Sequence, residues 1–149
     1  MLGRWFALLL WLPAMAGAQE RADLWQQIGF TATEVLIYTD QLQKLDATEC
    51  NQGPVSPYSV EATRDKWLQR LDADARERLA TLFDSPMVRG LLEENSKGIE
   101  SLLAQQQLTG SGPDTAKRTL CLELSLGFAE NLRQAEEELG ELIERYRQP

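Results

Sequence analysis

The sequence contains no histidine. That removes the commonest general base and the commonest transition-metal ligand. Ser-His-Asp and Cys-His nucleophile systems go with it, as do zinc sites of the Cys/His type and a covalent c-type haem, whose attachment motif ends in His. Methionine is also scarce. Of the three present, Met1 and Met15 fall in the first eighteen residues, so a thioether copper site is not available. There is no phosphate-cradling glycine loop of either common type, no EF-hand spacing and no Asn-x-Ser/Thr sequon. The residues therefore supply no catalytic group, no metal ligand set and no cofactor site. Carboxylates are what remains. Glu93-Glu94 and Glu136-Glu137-Glu138 are runs that project around a helix rather than converge, which reads as solvated surface. A pair of carboxylates brought together from separate helices is the one enzymatic alternative, a carboxylate-dependent hydrolase.

No apolar run reaches the roughly 20 residues that span a bilayer. The longest is at the N-terminus and has the layout of a secretory signal. Arg4 and the amino group precede an apolar stretch from Trp5 to Leu12. Pro13 ends it, and Ala16-Gly17-Ala18 offers small residues for cleavage before Gln19. The expectation is a signal peptide over residues 1–18, removed near Ala18/Gln19, and a single mature domain over 19–149 in the periplasm or outside the cell. No cysteine lies near the cleavage site, so neither a lipid anchor nor a stable membrane anchor is expected.

The mature domain would keep fourteen basic residues against twenty-three acidic ones, a net charge of −9. Such a surface repels nucleic acid and anionic membranes and attracts basic partners. Cys50 and Cys121 are the only cysteines. In an oxidising compartment two cysteines read as one disulfide.

Hydrophobic spacing gives four helical segments and no strand. The first runs from about Arg21 to Asp46, with Leu24, Ile28, Val35, Leu42 and Leu45 on one stripe. Cys50 to Pro57 is rich in turn residues, and Ser56-Pro57 reads as a cap and first turn. The second segment extends to about Phe83 through Trp67, Leu71 and Leu79, with a capping-box pattern at Asp74–Glu77 marking a kink or fresh start near Asp72. Asp84-Ser85-Pro86 reads as a stop and restart. The third segment carries Val88, Leu92 and Ile99 and ends at Gly110-Ser111-Gly112-Pro113. The fourth runs from about Asp114 to Arg147. These four make most economically an all-α, up-down-up-down four-helix bundle. In that topology Cys50 and Cys121 come out at the same end, as a bridge requires.

Asn95 and Arg64 fall on otherwise apolar stripes and read as internal polar contacts. Four apolar residues sit off the stripes: Phe30 and Ile37 on the first segment, Leu122 and Leu126 on the fourth. They either show that these helices bury more than one face or form a protein-binding surface, rimmed by Glu34, Glu123 and Glu130. The functional expectation is an exported, non-enzymatic interaction domain, such as an immunity or inhibitor protein or a secretion accessory or chaperone. Its partner is a protein, with basic partners favoured by charge. A small-ligand carrier is the alternative. Intact-mass analysis of protein from its native host should give a chain beginning at Gln19, within a residue or two. Recovery of the full-length chain would contradict export by this route.

Overall fold

The computed structural model describes residues 12–47, 50, 56–109 and 113–149. The side chains it describes are those of 16–47, 50, 56–105 and 118–149. The charged and apolar parts of the expected signal, residues 1–11, lie outside them, as does Gly110-Ser111-Gly112. Among the described residues there are five helices and no strand: α1 (Leu12–Asp46), α2 (Val60–Leu68), α3 (Ala73–Phe83), α4 (Pro86–Thr109) and α5 (Pro113–Arg147). No helix among the described residues is long and apolar enough to cross a membrane. The first helix starts earlier than the periodicity suggests. Pro13 stands in its first turn, where its missing N–H costs nothing.

The expected second segment is two helices. Its break at Gln69–Asp72 holds neither glycine nor proline and is made by side chains. Asp72, not Asp74, is the N-cap of α3, and its carboxylate accepts from the Ala75 amide at 2.9 Å. Arginines also bind carbonyls at the end of α2 and in the turn after it. Arg76 donates to the Leu68 and Leu71 carbonyls, both at 3.0 Å, and Arg147 donates to that of Arg70. Asp84-Ser85-Pro86 does interrupt the chain as expected, with Ser85 Oγ accepting from the Val88 amide at the start of α4. Arg64 of α2 clamps the break, donating to both oxygens of Asp84 at 2.6 and 2.9 Å. At the start of α2 the cap is Ser59, which accepts from Ala62. Ser56 instead donates to Asp46 at 2.6 Å and ties the loop to the end of α1.

Side-chain pairings set the direction of each helix. α5 runs antiparallel to α1: Trp25 meets Tyr146 at one end, and Cys121 is bonded to Cys50 at the other. α2 runs with α5, since Lys66 pairs with Glu136 and Arg70 with Glu144. α3 and α4 both run with α1. Arg78 lies over Trp25 and Leu82 abuts Gly29, while farther along Gln41 bonds Asn95 and Leu45 packs on Ile99 and Leu103. The chain therefore reverses at Gln69–Asp72 and continues in one sense through Asp84–Pro86, so five helices stand where four were expected and the second reversal comes earlier than the Asp84–Pro86 stop suggests.

The core centres on α1. Ile28, Val35, Leu36 and Leu42 pack with Trp67, Leu71, Leu79, Phe83, Leu139 and Ile143 in one cluster. A second cluster joins Leu45, Ile99 and Leu103 beside the disulfide. Gly29 lets α3 approach, because a Cβ there would stand 3.1 Å from Leu82. Since the α2–α3 reversal depends on one carboxylate cap, Asp72→Ala should cost about 1 kcal/mol in urea unfolding. A loss near zero would show that Arg76 and Arg147 hold the reversal without it.

Candidate interaction site

A helix that faces core on most of its circumference cannot keep every polar residue in water. α1 buries Thr31, Thr33, Thr39, Asp40 and Gln41. Two threonines satisfy themselves locally: Thr33 donates to the Gly29 carbonyl and Thr39 to that of Val35. Gln41 donates to Asn95 Oδ1 at 3.0 Å, and Asn95 in turn donates to the Leu91 carbonyl, so the polar contact expected of Asn95 is an α1–α4 link. One oxygen of Gln41, one of Asp40 and the Trp67 indole N–H are buried without a hydrogen-bond partner. Burial raises the Asp40 carboxyl above its ordinary range, and nearby Lys44 opposes the shift.

The four off-stripe apolar residues divide. Ile37 is half-buried, so α1 does bury more than one face there. Phe30 is 69% exposed, Leu122 60% and Leu126 63%. Leu122 and Leu126, one turn apart, lie on the side of α5 away from Cys121, Leu132 and Leu139. They do not share a groove with Phe30. The register set by Trp25–Tyr146 and Cys50–Cys121 puts Leu126 level with Leu45, about 22 Å along α1 from Phe30 at the helical rise. The expected single surface is therefore two separate places. The acidic residues near it also differ in availability. Glu130 is held at about 2 by Arg133 and Gln134, and Arg133 pairs with Glu137 as well, so Glu130 is engaged within α5. Glu123 is exposed.

Two carboxylates from different helices do feel each other. Burial, followed by repulsion from Glu138 of α5, raises Glu34 of α1. Neither lines the described cavity, a space of about 320 Å³ between the start of α1 and the end of α5. Among the described residues no group of three potential ligands could hold a metal ion. Asp40 and the cavity escape sequence reasoning for different reasons. A charged residue gives no sign of burial in its own spacing, and the cavity joins residues from opposite ends of the chain. Comparison with known proteins finds no matching family model, no matching curated protein and no matching solved structure.

The raised Asp40 carboxyl has a defined sign in folding. A carboxylic acid whose folded pKa exceeds its unfolded one holds its proton more tightly when folded, so stability falls as pH rises from about 3.8 through the folded value. Asp40→Asn should therefore stabilise the protein at pH 7, with the gain shrinking when urea melts are repeated near pH 3.5. A loss at pH 7 would mean that ionised Asp40 is compensated in the folded state.

Proposed function

We propose that the protein is exported, released by cleavage near Ala18/Gln19, and acts in the periplasm or outside the cell as a non-enzymatic protein-interaction domain of the immunity, inhibitor, accessory or chaperone kind. The observation that carries this reading is the pair Leu122 and Leu126. They are adjacent on the outward face of α5, with more than half of each in solvent. A lone exposed leucine means little, but two on consecutive turns next to a disulfide-anchored helix end form a rigid apolar contact. The domain's acidic balance favours a basic partner and fast encounter with it. The disulfide fits an oxidising compartment.

A second reading, a small-ligand carrier, draws on the cavity at the opposite end of the bundle. The two readings use different residues. Leu122→Ser with Leu126→Ser should abolish a stoichiometric partner captured from envelope extract, each serine weakening binding by more than about 1 kcal/mol. The melting temperature should stay near that of the parent, because both side chains are already exposed. Capture of the same partner at the same strength by the double variant would remove α5 as the binding face.

A further inference from the structure

The cavity at the Trp25–Tyr146 end of the bundle has a chemistry of its own. α1 contributes Glu20, Arg21 and Leu24, and α5 contributes Arg145 and Tyr146, with Gln148 just beyond it. In this acidic chain half of the ten described arginines are held by carboxylates or backbone carbonyls. Asp84 holds Arg64, Glu144 holds Arg70 and Arg147, Glu130 and Glu137 hold Arg133, and two backbone carbonyls hold Arg76. Arg21 and Arg145 form no ion pair among the described residues, yet both line the same space.

Arg21 is also fixed in place. Its guanidinium lies 4.4 Å from the centre of the Tyr146 ring, that ring stands 5.5 Å from Trp25, and Arg78 covers Trp25 at 4.3 Å. Stacking on a ring face leaves the in-plane N–H edge of a guanidinium free to donate. Leu24, itself buried, and Tyr146 give the cavity an apolar wall. We propose that this cavity binds a small organic monocarboxylate, with its charged end on Arg21 and Arg145 and its apolar part against Leu24 and Tyr146. This rests on the carrier reading and is independent of Leu122 and Leu126. About 320 Å³ is at the small end of ligand sites, which limits the ligand to one ring or a short chain. Glu20 on the rim disfavours a dianion, so the site distinguishes a carboxylate from phosphate. Cleavage before Gln19 would take Gly17 out of the wall, while Arg21, Leu24, Arg145 and Tyr146 all belong to the mature domain.

The test is a titration of the exported protein with benzoate, followed by tryptophan fluorescence and backbone amide shifts. The expected result is saturable binding with shifts at Leu24 and Tyr146. Arg145→Gln and Arg21→Gln should each weaken it about tenfold or more, as loss of a charge-assisted hydrogen-bonding partner does. Inorganic phosphate should bind at least about tenfold more weakly than benzoate. Arg145 is exposed and forms no ion pair among the described residues, so its variant should keep the parent melting temperature. The proposal is overturned by absence of saturation, by equal affinity in either arginine variant, or by phosphate binding as well as benzoate. Any of these leaves the α5 interaction face untouched.

Discussion

The antiparallel seam between α1 and α5, pinned at both ends, is the constraint on which the rest of the protein depends. Cys50–Cys121 closes one end, with Cα atoms 5.4 Å apart, and Trp25 against Tyr146 closes the other. The bridge joins positions 71 residues apart, so on the chain-entropy model it removes about 4 kcal/mol of freedom from the unfolded state. That is a large fraction of the stability of an ordinary domain. The two longest helices are thereby held in register at both ends of the seam. α2, α3 and α4 pack around α1, with polar links between elements: Gln43 to the Val60 amide, Gln41 to Asn95, Arg64 to Asp84.

Putting α1 at the centre has a price in polar groups. A helix packed on several sides must bury whatever its sequence places there, and Asp40 and Gln41 each keep an oxygen with no partner. Unsatisfied buried oxygens destabilise by roughly 1–3 kcal/mol each, which the seam and the two apolar clusters must offset. The exposed face of α5 shows the opposite departure, with apolar groups where water would favour polar ones. The buried polar groups of α1 face inward, whereas the exposed leucines of α5 face outward, where a partner can reach them.

Much of this was legible in the residues. Helical spacing identifies the long first and last helices, and the cysteine count identifies the bridge. The wheel positions of Leu122 and Leu126 set them off the main stripe of α5 and leave open whether they are core or surface. The reversal was misplaced because Asp84-Ser85-Pro86 carries the stronger local signal, while Gln69–Asp72 turns by means of a cap and two distant arginine donors. Phe30 and Ile37 share a helical face yet differ in exposure. Periodicity reports one stripe and says nothing of what covers the remaining faces. The cavity was hidden for a related reason: Arg21 and Arg145 meet only once the antiparallel seam is formed.

Hydrogen exchange on the oxidised and reduced protein tests the seam most directly. The account predicts that amides of α1 and α5 are the slowest to exchange when oxidised. Reduction should lower protection first near Leu42–Asp46 and Cys121–Phe128, while Leu24–Val35 and Ala135–Tyr146 stay protected through the Trp25–Tyr146 end. Slowest exchange in α2–α3 or α4, or a uniform loss along α1 and α5 on reduction, would contradict it.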